Sequence, residues 1–240
     1  MRVLFIFAIV GMLVASVMAA HVFFGSMDAD RHDQELAHYQ SRIDALKPAA
    51  AAGDITAQVE IAGLYRHGEE HTRNTGQAFK WYNEAAKKGH TGALYAVGSM
   101  YANGEGVKQS YHRAADWYRA AARIGRHRDA QFALGDLFFH GRGVGHDYGT
   151  AIDWYRKAAR GGHPVAQHLM GTMYQMGWGV DKDAAEAFKW YSLAAARVDQ
   201  VSAYNPEFDP RRERDVLKGK MSRWQIDQAE AAVKALRLNP

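Results

Sequence analysis

Between residue 57 and about residue 197, apolar side chains fall in short stripes at three- and four-residue spacing, separated by glycine-rich turns. Ala93, Val97, Gly98, Met100 and Tyr101 share one face of a helix, and Gly104 stands where that helix must stop. A second stripe, Ala114, Trp117, Tyr118, Ala121 and Ala122, is closed by Gly125. The pattern predicts two amphipathic helices joined by a tight turn, with nothing of the two-residue alternation of a strand.

The pair of helices recurs. Trp81, Trp117, Trp154 and Trp190 each open a Trp-Tyr pair, at intervals of 36, 37 and 36 residues. Glycines (Gly68, Gly104, Gly141, Gly177) stand 13 positions before each Trp, and an aromatic (Tyr65, Tyr101, Phe138, Tyr174) stands 3 before each glycine. Ala57, Ala93, Ala130 and Ala166 open the units. One helical hairpin cannot bury its own apolar face, so such units must stack. The period also settles "GRGVGHDYG" at 141–149, whose glycines could otherwise suggest a phosphate cradle. Its first four residues return as "GEGV" at 104–107 and "GWGV" at 177–180, after a helix rather than a strand. They are expected to reverse the chain, not to hold a nucleotide.

The pattern A-x-x-x-[LVM]-G-x-x-Y-x-x-G-x-G-V followed by A-x-x-W-Y-x-x-A-A-x-x-G-H resembles the Sel1-like repeat family. "AQHLMGTMYQMGWGVDKDAAEAFKWYSLAAA" at 166–196 matches it well. The resemblance implies an all-α, right-handed solenoid of tetratricopeptide-like hairpins, with units at 57–92, 93–129, 130–165 and 166–197. The first unit departs from the pattern: "GEEHTRN" replaces the G-x-G-V turn, and Ala62 stands where the others have Gly98, Gly135 and Gly171. Residues 28–56 read as a half-repeat capping helix and 198–240 as a C-terminal loop with capping helices. There, Asp209-Pro210 and Ser222 to Gln225 supply helix-start signals.

Residues 3–24 are apolar after Arg2, with no acidic residue before Asp28. Residues 1–27 are therefore expected to be a signal peptide or a signal-anchor transmembrane helix. Either places the rest outside the cytoplasm, in the periplasm of a bacterial-type envelope. An anchor would contact the inner membrane, and Gly11, Ala15 and Ala19 on one face would allow weak self-association.

Charge excludes more than it suggests. The chain has 30 Lys and Arg against 26 Asp and Glu, a formal net charge of +4. Basic residues are interspersed with acidic ones, and even the cluster from Arg211 to Arg223 contains Glu213 and Asp215. It reads as a solvated helix face, and no nucleic-acid partner is expected. The absence of cysteine removes disulfides, thiolate catalysis and Cys-ligated zinc. "HGEEH" at 67–71 has the residue order of one zinc-peptidase class, but Gly68 breaks the helix that would hold both histidines, so no metal is expected. Some cysteine-rich proteins of the resembled family are linked to β-lactam hydrolysis. With no cysteine and no Ser-x-x-Lys, that activity is not implied here. No cofactor and no catalytic residue is expected.

What remains is the row facing away from the buried stripe of each first helix. It holds Tyr95, Phe132 and His168 at one offset, Asp136 at a second, and Arg66, Phe139 and Gln175 at a third. In stacked hairpins this row would line a concave groove able to bind a protein or peptide, with Tyr95, Phe132 and Phe139 as exposed aromatic contacts. Packing of the same aromatics against a neighbouring unit is the alternative. Trp178, in a turn position that elsewhere holds Glu105 and Arg142, is expected to be a contact residue or to pack on the C-terminal cap. The leading reading is a non-enzymatic scaffold or adaptor in the envelope. Its rival is a periplasmic immunity or inhibitor protein that neutralises an effector enzyme, and an envelope enzyme comes third.

Overall fold

The computed structural model describes residues 34–68 and 72–238 of the chain. The expected signal or anchor segment, the first residues of the N-terminal cap, and Glu69 to His71 of the "HGEEH" stretch lie outside the described residues. Among the described residues every regular element is a helix. None is long and apolar enough to cross a membrane.

The chain divides into two compact bodies, 1–74 and 75–240. In the first, helix α1 (residues 34–52) is followed by α2 (Ile55–His67). The Asp54 carboxylate accepts from the Ala57 N–H at 2.8 Å and starts α2. Ile43, Ala50, Ile61 and Ala62 are buried, and the Gln58 amide donates to the Ala50 carbonyl at 2.9 Å. The Asn74 N–H closes the following loop on the Tyr65 carbonyl at 2.8 Å.

The second body begins with α3 (Thr75–Lys87) and continues through three helical hairpins. These are α4 (Thr91–Asn103) with α5 (Tyr111–Ile124), α6 (Arg128–His140) with α7 (Tyr148–Arg160), and α8 (Pro164–Met176) with α9 (Ala184–Ala194). Each hairpin packs internally and on the helix before it, α3 on α4, α5 on α6 and α7 on α8. The result is an all-α solenoid, as the periodicity requires.

The glycine turns are helix stops. Gly141 has φ of 64° and donates to the Leu137 carbonyl, and Arg142 N–H reaches the same carbonyl at 2.9 Å. This left-handed cap satisfies the orphan carbonyl at the end of α6. The Asp147 N–H then returns to Phe138 O at 3.0 Å, and its carboxylate caps α7 through the Thr150 N–H at 3.1 Å. Ser110 and Asp183 do the same for α5 and α9. The backbone N–H groups of the G-x-G stretch therefore turn the chain, as read from sequence.

The two helices of a hairpin meet through a tyrosine on a glycine. A Cβ on Gly98, Gly135 or Gly171 would sit 2.6 to 2.7 Å from the ring of Tyr118, Tyr155 or Tyr191. Those tyrosines are buried, whereas Trp81, Trp117 and Trp154 are only half-buried. Of the two aromatics that share the stripe in the helices of these three tryptophans, the tyrosine is the core ring and the tryptophan lies at its margin. Lys80, Lys157 and Lys189 lie over Trp81, Trp154 and Trp190, with Lys157 Nζ 4.0 Å from the Trp154 ring. Among these tryptophans, Trp190 is buried, packed with Ile152, Tyr155 and Met170 of the two preceding helices.

After α9 come a 3₁₀ turn (Ala195–Arg197), α10 (Val198–Tyr204), α11 (Pro210–Lys218) and α12 (Arg223–Leu238). The short α10 was not read from the sequence. Its seven residues show little periodicity, and it is held by the buried Val201 and by packing on α8. Asp209 caps α11, with Pro210 as its first residue. Ser222 and Gln225 exchange backbone-to-side-chain hydrogen bonds at 2.9 and 3.3 Å and start α12. Both helices lie on α9, where Leu217 and Ala229 bury Phe188 and Tyr191.

This core predicts an ordering within one Trp-Tyr pair. Tyr155→Ala removes a buried ring from the hairpin and is expected to cost about 3–5 kcal/mol of folding stability. Trp154→Ala is expected to cost about 1 kcal/mol. Urea unfolding of the two variants measures both, and equal losses would refute the assignment of the tyrosine as the core residue.

Candidate functional site

The residues expected to line a groove are largely engaged in holding the hairpins together. Tyr95 is half-buried and stacks on the His127 imidazole, with ring centroids 4.9 Å apart. Phe132, also half-buried, stacks on His163 at 4.3 Å and takes the edge of Tyr204 at 5.6 Å. His168 is 3% exposed and lies face to face with Phe208 at 4.3 Å. These three side chains are therefore not exposed. For Tyr95 and Phe132 the structure shows the alternative, packing on the next unit.

The second offset has a different use. A buried tyrosine needs a partner for its hydroxyl. Tyr155 Oη donates to Asp136 Oδ1 at 2.5 Å, and Tyr191 Oη lies 3.1 Å from Thr172 Oγ1, each pair 19 residues apart. Tyr204 Oη, from α10, donates to the other oxygen of Asp136 at 3.2 Å. Gln175 accepts from Tyr191 Oη at 2.7 Å. Arg66 is half-buried on α2, in the first body. The chain's own segment around Tyr204 and Phe208 thus covers Phe132, Asp136 and His168.

Sequence reasoning passed over the histidines. His90, His127 and His163 each precede a first helix, and each Nδ1 accepts from the N–H three residues on, Ala93, Ala130 and Ala166, at 3.1 to 3.3 Å. The last two also carry the stacked aromatics. The signal was present in the repeated Gly-His at 89–90 and 162–163, but histidine is an uncommon cap residue.

Burial tunes these groups. It depresses the His163 imidazole to about 4, outweighing the Asp129 carboxylate 3.7 Å from Nε2, and lowers His127 in the same direction. His168 is likewise held down to about 4 by burial, and its Nδ1 has no hydrogen-bond partner among the described residues. Burial raises the Asp136 carboxyl above its ordinary range, against the opposing pull of the Tyr155 and Tyr204 hydroxyls. No group of three or more His, Asp or Glu side chains among the described residues could hold a metal ion. His67 ends α2 with its side chain exposed.

Phe139, also half-buried, lies against an exposed aromatic patch. Its ring lies 5.2 Å from Tyr148 and 5.9 Å from Trp178, which stacks on Tyr148 at an interplanar angle of 14°. Tyr148 is 38% exposed, Trp178 42% and Met176 50%. Trp178 therefore packs on the preceding unit rather than on the C-terminal cap. Beside this patch, His168, Gln175, Tyr191, Phe208, Arg212 and Glu213 border an open cleft of about 480 Å³. The patch can offer aromatic contact area, and no nucleophile with a positioned base stands in it.

Comparison with known proteins agrees with this geometry. The family model "Sel1 repeat" matches residues 55–90, 91–125, 128–163 and 164–199. A protective antigen of uropathogenic Escherichia coli strains displaying an SLR fold is 30% identical, with a TM-score of 0.66. The match covers 81% of this chain and 40% of that one, so the chain spans well under half of that protein. A Sel1 repeat protein from Oxalobacter formigenes is 31% identical over 70% of each chain, with a TM-score of 0.60. An immunity protein from Pseudomonas aeruginosa is 18% identical over 80% of this chain and 74% of its own, with a TM-score of 0.46. No curated protein sequence matches the chain.

The buried caps predict acid sensitivity of a definite sign. His163 titrates at about 4 when folded, against an ordinary 6.5. Its contribution to stability is complete above about pH 6.5 and is lost as pH falls toward 4, on the order of 1–2 kcal/mol between pH 7 and 5. His163→Asn keeps a cap acceptor and removes the titration. Its melting temperature is expected to fall less than the wild type's between pH 7 and 5, and parallel curves would refute the assignment. Asp136, shifted upward, acts with the opposite sign at lower pH and is common to both proteins.

Proposed function

We propose, from the premise that this chain belongs to the Sel1 repeat family, that it is a non-enzymatic scaffold which binds a protein through an exposed aromatic patch. Sel1 repeat proteins are in general protein-interaction scaffolds. The observation that carries the reading is the cluster of Phe139, Tyr148 and Trp178, with Tyr148 and Trp178 exposed across the junction of two units. Exposed aromatics fixed by rigid helices present contact area at little entropic cost, and such residues dominate binding energy at interfaces. The position of Trp178 supports this use. Arg142, its equivalent one unit earlier, spends its side chain over Tyr111 at 5.8 Å, a polar contact where the next unit offers an indole.

The site proposed here is narrower than the groove read from sequence. Phe139 belongs to it and Gln175 borders the neighbouring cleft, while Tyr95, Phe132, Asp136 and His168 are engaged in packing within and between units. The reading places the chain as an adaptor outside the cytoplasm, in a right-handed superhelix. Support for the location comes from the apolar run at 3–24 alone. The immunity reading has no observation of its own in this chain.

Trp178→Ala with Tyr148→Ala is expected to abolish capture of a partner from envelope extract, because truncating central interface aromatics costs about 2 kcal/mol or more each. The melting temperature is expected to stay within a few degrees of wild type. Unchanged capture by a folded double variant would overturn the proposal. A captured effector enzyme whose activity falls on binding would replace the adaptor by an inhibitor acting through the same patch.

A further inference from the structure

The repeat is irregular at one interval, the 37 residues between Trp117 and Trp154. The extra residue falls between Trp117 and the cap residue His127, where α5 is one residue longer than α3 and α7. Two residues after the paired alanines, the other junctions run Gly53-Asp54, Lys88-Gly89-His90 and Gly161-Gly162-His163, with glycines at φ of 99°, 83° and 79° before the cap residue. Here the cap is preceded by Arg126, with φ of 48°, the one non-glycine at positive φ among the described residues. A residue with a Cβ seldom adopts this conformation.

The insertion also frees an amide. Gln58 donates to Ala50 O at 2.9 Å and Gln167 to Ala159 O at 3.0 Å, each eight residues back. Gln131 is their equivalent, but the matching Ala122 lies nine residues back and no such bond forms. Gln131 is 7% exposed, and its amide makes no hydrogen bond among the described residues. It faces an open cleft of about 580 Å³ bordered by Arg123, Arg126, Trp154, Lys157 and Arg160. Among the described residues none of the three arginines has a carboxylate partner, and Lys157 rests on Trp154. The carboxylate of Asp129 is taken up by Arg128 and His163.

Cations in the last turns of α5 and α7 would suit the helix dipoles without any ligand. That account covers Arg123, Lys157 and Arg160, but neither the arginine at positive φ nor the Gln131 amide turned to the cleft. By contrast, most of the basic run visible in the sequence is paired: Arg212, Arg214, Lys218 and Arg223 pair with Glu213, Asp215, Glu230 and Asp227.

We infer that this cleft is a second docking site, which takes an acidic peptide segment of a protein partner. Guanidinium groups bind carboxylates by paired, charge-assisted hydrogen bonds. An amide offers a donor and an acceptor together, which matches a peptide group, whereas a bare phosphate needs donors only. The apolar floor of Ala122 and the Trp154 edge suits a side-chain stem rather than an inorganic ion. The inference rests on the scaffold reading and adds a contact distinct from the Trp178 patch, so each can fail while the other stands.

The test is titration of the full chain with a blocked peptide of alternating glutamates and aspartates. Its Gln/Asn counterpart, inorganic phosphate and vesicles of anionic phospholipid serve as separate probes. The acidic peptide is expected to bind, and the Gln/Asn peptide to bind at least about tenfold more weakly. Arg126→Gly is expected to weaken the acidic peptide about tenfold while raising the melting temperature, because glycine relieves the positive φ. Gln131→Leu, with Leu94 as its precedent in the same column, is expected to weaken binding and leave the fold intact. Equal affinity for the two peptides, or no loss in either variant, would overturn the inference. Binding to vesicles or phosphate without binding to the peptide would overturn it in favour of a phosphate ligand.

Discussion

The contact on which each complete hairpin depends is a tyrosine ring laid on bare glycine backbone. Tyr118, Tyr155 and Tyr191 approach Gly98, Gly135 and Gly171 so closely that no Cβ fits between the helices. Close approach buries the ring, and a buried ring brings a hydroxyl that must be satisfied. Asp136 and Thr172 supply that need from the same helix, each as the residue directly after the glycine. The row that faces away from the stripe is thereby drawn into the hairpin. A concave surface in such a solenoid is partly spent on satisfying its own core.

The joint between hairpins follows from a second economy. A first helix needs an acceptor at its N-terminus, and histidine provides one through Nδ1 while leaving a flat ring to stack on the preceding unit. Asp54 caps α2 equally well but has no ring to offer. In the last unit no further histidine cap follows, and Phe208 supplies the flat face over His168. The C-terminal segment therefore completes the stacking pattern from outside the repeat. Because a cap acceptor cannot be protonated at Nδ1 and still accept, the joint works only while the imidazoles stay neutral, which burial ensures near neutral pH.

What the sequence disclosed follows the same division. The hairpins, the glycine stops, the helix starts at Asp209 and Ser222 and the turn nature of "GRGVG" all depend on neighbours a few residues away, where spacing carries the information. Burial of the tyrosine rather than the tryptophan in the first three pairs was not legible, since both fall on adjacent positions of one helix and composition cannot say which side the glycine column meets. Offset counting grouped Phe132, Asp136 and His168 in one row of their helices. It could not show that Tyr204 and Phe208, at least 36 residues later in the chain, would cover them. The short α10 escaped for the same reason, because its helicity is supported by packing on α8 rather than by its own pattern.

In a repeat, a feature shared by all units explains the stack, and a feature of one unit needs another explanation. Arg142 over Tyr111 and Trp178 over Tyr148 occupy one structural position, yet one presents a guanidinium and the other an indole to solvent. The junction after α5 departs further. The added residue forces a backbone conformation that glycine would adopt more easily and leaves Gln131 without the carbonyl its equivalents use. Neither change is required by the repeat, and local sequence choices that depart from it are expected where something other than folding is served. The two departures lie at different unit junctions of one rigid array. Helical hairpins hold such separations fixed, so a partner engaging both would meet an aromatic patch and a basic cleft at set spacing. Two weak contacts held at a fixed distance bind more tightly than either alone, because the second forms at high effective concentration. Specificity in this chain would then come from the interval between irregularities, which the regular units between them determine.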